Sequence, residues 1–111
     1  MISRLHSVAF HGIEAVPVEV EVDVAKPGFA GSSLVGLPDA AVKESVERVR
    51  SALSNSGYEF PRYKTVVNLA PADVKKEGPL FDLPIAVGIA LASGQIQSDL
   101  VGQYLVIAVP R

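Results

Sequence analysis

The 111-residue sequence predicts a two-layer α/β (α+β) domain: one mixed β-sheet with two helices on one face, in the order β-β-β-α-β-α-β. Three observations carry this. Val16, Val18, Val20, Val22 and Val24 alternate with Glu19, Glu21 and Asp23, the period of a strand buried on one face only. Val42, Val46, Val49 and Leu53 recur at spacings of four, three and four, the stripe of an amphipathic helix. Leu83–Ala92 is apolar nearly all round, so a helix there must be buried on most sides.

In chain order, Ile2–His11 predicts a first strand, closed by a tight connection over Gly12–Ala15, with Val16–Val24 as its antiparallel neighbour. Lys26-Pro27-Gly28 marks a turn, and Ser32–Val35 a short third strand. Gly36-Leu37-Pro38-Asp39 opens a helix that stops around Ser54–Ser56, with Gly57 at the left-handed cap position. Lys64–Leu69 is a fourth strand, broken by Ala70-Pro71-Ala72-Asp73. The loop Val74–Phe81 leads into a helix over Leu83–Ser93, where Asp82 suits a cap and Pro84 suits the helix start. Ser98–Gln103 is a turn, and Tyr104–Val109 a last strand.

Composition sets the class. With 49% apolar and 20% charged residues the chain can bury a core, and its length suits a single domain over residues 1–111. The net charge of −2 gives no overall basic character to attract nucleic acid, though a local patch remains open. With no cysteine there are no disulfides or thiolate zinc sites, which fits a cytoplasmic location. The longest apolar run, Leu83–Ala92, is about half the ~20 residues of a membrane-spanning helix, so no membrane partner is expected. Neither His6 and His11, of opposite strand parity, nor the row Glu19, Glu21, Asp23 encloses a metal ion. Same-face neighbours on a strand stand ~6.5–7 Å apart, too spread for metal–oxygen bonds of ~2.0–2.6 Å.

The stretch Val67–Ala86, an apolar strand, a polar loop and a helix start, is where chemistry would be placed. Lys75, Lys76 and the amides near Gly78 form a candidate anion site. Arg62 and Lys64 would join them in a candidate DNA-binding surface if they lie near the loop.

Val35–Pro38 (VGLP), Asp39–Arg50 (DAAVKESVERVR), Phe60-Pro61, Val67–Asp73 (VNLAPAD) and Lys76–Ile85 (KEGPLFDLPI) together resemble the N-terminal domain of the ComM/YifB family, often called magnesium-chelatase-like or ChlI-like. The resemblance covers roughly Ile2 to Leu105 and breaks at Ala108. It implies a fold similar to the Lon protease domain, and a place beside an AAA+ ATPase that acts as a hexameric DNA helicase in natural transformation. Partners implied are that module, other copies of the chain, and DNA. No cofactor is expected for this chain; ATP and Mg belong to the AAA+ module, since no Gly here is followed by Lys as a phosphate loop requires. Laid on the similar Lon loop, Lys76-Glu77-Gly78-Pro79 puts Leu80 where the nucleophilic Ser would stand, and an activating Lys would fall beyond Arg111. The expectation is a non-catalytic accessory domain contributing to assembly or DNA binding. The alternatives are a degenerate Lon-like peptidase and a pure oligomerisation module.

Overall fold

A computed structural model describes residues 1–25, 31–36, 38–76 and 78–108. The turn expected at Lys26-Pro27-Gly28 lies outside them, as do Leu37, Glu77 and the end of the last predicted strand. Strands β1 (Ile2–His11), β2 (Glu14–Val24), β3 (Ser32–Val35) and β4 (Thr65–Ala70) form one sheet in the order β1-β2-β4-β3. β2 is antiparallel to both its neighbours, and β3 runs parallel to β4, so the sheet is mixed.

The alternation in β2 does what its pattern predicts. Val18, Val20, Val22 and Val24 are buried, while Glu19, Glu21 and Asp23 lie on the other, half-covered face. There Arg4, directly across from Glu21, holds its carboxylate at 3.0 Å and reaches Glu19 at 3.8 Å. The row of acids is thus answered by a cation within the sheet.

Three helical segments follow: α1 (Ala40–Lys43), α2 (Ser45–Asn55) and α3 (Asp82–Ala92). The single helix expected from Asp39 is interrupted at Glu44. The Ala41 carbonyl, which would take the next helical hydrogen bond, accepts one from Arg48 Nη2 at 2.8 Å instead. Val42, Val49 and Leu53 of the predicted stripe reach the core, whereas Val46 is only half-buried and Ser45 is the buried residue next to it.

α3 lies across β1 and β2, and α2 packs along α3. Close approach of α3 to the sheet depends on Gly88: a Cβ there would meet Val22 Cγ2 at 2.6 Å and Leu5 Cδ1 at 3.1 Å. Ser3 Oγ donates to the Gly88 carbonyl at 2.7 Å, tying the helix to the first strand.

The last predicted strand is corrected. Among the described residues Tyr104–Val109 contributes one isolated parallel bridge, His6 to Leu105, with Val106 N–H donating to His6 O at 2.8 Å. The segment then turns aside, where Ala108 N–H donates to Leu80 O at 2.8 Å. That bond to the loop before α3 diverts it from continued pairing. No described helix is long and apolar enough to cross a membrane.

Candidate functional site

β4 delivers the chain to the loop at its C-terminal end, and the start of α1 meets it there. Pro38 and Lys76 form a parallel bridge, and Asp39 N–H donates to Lys76 O at 2.9 Å. Asp39 then serves two segments. Its Oδ1 accepts from Val42 N–H at 2.8 Å, capping α1, and its Oδ2 accepts from Gly78 N–H at 3.3 Å, pinning the loop. Gly36 seats this corner against β4: at φ +113 it places its α-carbon so that a Cβ would stand 2.0 Å from Leu69 O.

Lys76 is the central residue of the loop, and its position corrects the expectation for it. The side chain is wholly buried, and Nζ donates to the Pro71 carbonyl. Burial pushes its ammonium below the ordinary lysine value, with Asp73 drawing part of that back. An amine enclosed and hydrogen-bonded in this way cannot take an anion from solvent.

Asp82 is also corrected. Phe81, buried, is the N-cap of α3 and makes no side-chain cap bond; Asp82 is the first helical residue. Its carboxylate turns sideways to α2, where Oδ1 accepts from Ser45 Oγ at 2.5 Å and from Arg48 Nη2 at 2.9 Å, and Oδ2 from Arg48 Nε at 2.6 Å. The partner raises the Arg48 pKa further, chiefly through this hydrogen bond. The two helices are therefore clamped by a bidentate ion pair, a geometry that guanidinium and carboxylate share. Pro84, buried at the third helical position, has no N–H to leave unsatisfied where the first turn has no acceptor for it. Leu80, half-buried, stands in the loop with its carbonyl tied to Ala108.

The four basic candidates sit at the two ends of β4. Lys75 and Lys76 follow the C-terminal end of β4, whereas Arg62 and Lys64 precede its N-terminal end. A six-residue strand separates them by about 20 Å. Lys75 is exposed and engaged in an interaction of its own. Arg62 lines an open groove of about 520 Å³ between Phe60–Tyr63 and the end of α3, and Arg50 lies over the outer Phe60 ring at 4.0 Å. Sequence reasoning missed the Ser45–Asp82–Arg48 cluster. Arg48 also meets Glu44, four residues before it, but at 3.7 Å against 2.6 Å to Asp82.

Fold and loop together define a mixed α/β domain whose sheet end is closed by a buried lysine and an interhelical ion pair. The family model described as subunit ChlI of Mg-chelatase matches residues 18–109, and the chain belongs to that family. It is 48% identical over 103 residues to the uncharacterized protein YifB of Escherichia coli, covering 93% of this chain and 20% of that protein. It is 47% identical over 106 residues to the competence protein ComM of Haemophilus influenzae, covering 94% of this chain and 20% of that one. An uncharacterized protein of Mycobacterium tuberculosis matches at 40% over 91 residues, 82% of this chain and 18% of its own length. The chain thus spans about a fifth of the length of the curated relatives it matches.

Proposed function

We propose that this chain is a non-catalytic accessory domain of a ComM-type AAA+ protein, working in the cytoplasm and contributing to assembly rather than to DNA binding on its own. The observation that carries the reading is the state of the loop amine. Lys76 is sealed from solvent and bonded to a backbone carbonyl, and the resemblance to the Lon loop sets Leu80, which has no lone pair for acyl transfer, where a nucleophile would stand. The burial of Lys76 and the strand length between the loop and Arg62 and Lys64 leave the basic candidates dispersed, which favours assembly over DNA binding. ATP and Mg are assigned to the AAA+ module of the longer protein.

A second reading has one observation in its favour. A buried lysine with a lowered pKa is also what a hydrolase uses as a base, so a degenerate Lon-like peptidase is the competitor. Incubation of the purified chain with unfolded casein and fluorogenic peptides separates the two. The accessory reading expects no turnover above a blank; turnover that disappears in Lys76→Met would overturn it.

A further inference from the structure

Past Glu19 the sheet narrows to two strands. β1 and β2 stay paired as far as His11 and Glu14, whereas β4 pairs with β2 only over Glu19–Val24. The hairpin therefore runs on as an arm, and Phe10, His11, Gly12, Ile13, Glu14 and Ala15 are all exposed. Gly12, at φ +64, takes the first central place of its two-residue turn, as such turns favour. The second place holds Ile13, where glycine, asparagine, aspartate or serine is usual. Ile13 is fully exposed and Phe10 more than half exposed, so the tip is an apolar knob. Its one formal charge, Glu14, makes no ion pair among the described residues.

The other end of the same strand pair carries a hollow. The open groove of about 520 Å³ beside Arg62 lies against Val24, about 30 Å along β2 from Ala15. Phe60, Pro61, Tyr63 and Ala92 give it an apolar lining, and its volume falls within the roughly 300–1,000 Å³ of pockets that enclose small ligands. One wall is set in advance. The Gln95 amide accepts from Glu59 N–H at 2.8 Å and donates to Glu59 O at 2.7 Å, as a strand partner would, so little ordering remains to be lost on docking.

We infer that knob and hollow fit each other between copies: the β1–β2 tip of one copy seats in the groove of the next, Ile13 among the apolar lining and Glu14 against the partner's Arg62. The inference rests on the assembly reading above and names its surfaces. Two arguments select a second copy as the occupant. The tip and the groove stand at opposite ends of one hairpin, so they cannot meet within a chain, yet every chain offers both. The charges also match. Arg62, which has no ion pair among the described residues and is followed by Lys64, outweighs Glu59, the one acid lining the groove, and the tip brings one acid and no cation. Such a contact is heterologous. Each copy in a pair keeps one free tip and one free groove, so association runs on into a ring or a filament and does not stop at a two-fold dimer.

The test is sedimentation velocity of the chain across a wide concentration range, with circular dichroism as the check on folding. The native chain is expected to pass beyond dimer as concentration rises. Ile13→Asp and Arg62→Glu, both at exposed positions, keep the folded spectrum and each raise the dissociation constant at least tenfold. Mixed in equal amounts, the two variants form a dimer and nothing larger, because the first keeps its groove and the second its tip. Glu14→Arg added to Arg62→Glu restores association. Assembly that ignores both single variants, or a mixture of them that recovers nothing, overturns the tip-in-groove contact while assembly through another surface stands. A chain that stays monomeric at every concentration overturns both.

Discussion

The two ends of β4 carry the same kind of residue and treat it oppositely. At the C-terminal end Lys76 is buried against the Pro71 carbonyl and Arg48 is locked to Asp82. At the N-terminal end Arg62 and Lys64 are exposed, beside an open groove. What differs is the chain around them. The C-terminal end is where four segments converge: β4, the turn after β3, the start of α1 and the start of α3. Convergence removes water, and a cation left there must find an acceptor inside the protein. A lysine in a polar loop is thus part of the frame, and lysines and arginines at the less crowded end are left to solvent.

If the C-terminal end is built on close backbone approach, its most sensitive residue is a glycine. Gly36→Ala should be the most damaging substitution considered, about 4 kcal/mol or more, because left-handed strain adds to a methyl group that cannot fit against Leu69 O. Urea unfolding measures it, and a loss under about 1 kcal/mol would show that the corner is looser than described.

Lys76 comes next. Lys76→Ala removes a fully buried stem and leaves the Pro71 carbonyl without its donor, an expected loss of about 3 kcal/mol. Lys76→Met keeps the volume and should cost about 1 kcal/mol. The pair also predicts a pH signature. A lysine whose folded pKa lies below its unfolded value binds its proton less tightly in the native state. The unfolded chain then holds more protons between those two values, so this contribution to stability rises with pH up to about the ordinary 10.5. The native chain should gain on Lys76→Met as pH climbs through that alkaline window. A gap that narrows there would mean that the ammonium is not desolvated.

Asp82→Asn tests the interhelical clamp. Loss of the charge-assisted bonds to Ser45 and Arg48 should cost about 1–2 kcal/mol, and Asp82→Asn combined with Arg48→Met should cost less than the two singles added. Additive losses would say that the ion pair is present but uncoupled.

Much of the fold was legible because it rests on periodicity. Val18, Val20, Val22 and Val24 of β2 and Val42, Val49 and Leu53 could be buried only one way, and they are, whereas Val16 at the start of β2 and Val46 stay half-buried. The break at Glu44 was not legible, since it arises from an arginine four residues later taking the Ala41 carbonyl. The last strand failed for a similar reason: an apolar run predicts extended chain, but its pairing is cut short by a bond between Ala108 and a loop distant in sequence. At the candidate site, the motif drew attention to the right stretch and assigned the wrong roles. Lys76 and Asp82 are ordinary solvent and capping residues by local rules, and only the convergence of segments from residues 36 to 48 onto the loop turns them inward.

The smallest expected effect lies at the open end of β4. Arg62→Ala and Lys64→Ala alter exposed side chains that make no side-chain hydrogen bond or ion pair among the described residues, so stability should change by less than about 0.5 kcal/mol. They bear instead on DNA. Were all four basic residues one footprint, removing either pair would weaken binding and flatten its salt dependence together. With the pairs at opposite ends of the strand, a low-salt mobility-shift titration should find no binding by the native chain for either pair to abolish. Salt-sensitive binding lost equally in Arg62→Ala/Lys64→Ala and in Lys75→Ala would make the two ends of β4 one surface, and with that favour a role for DNA over assembly alone.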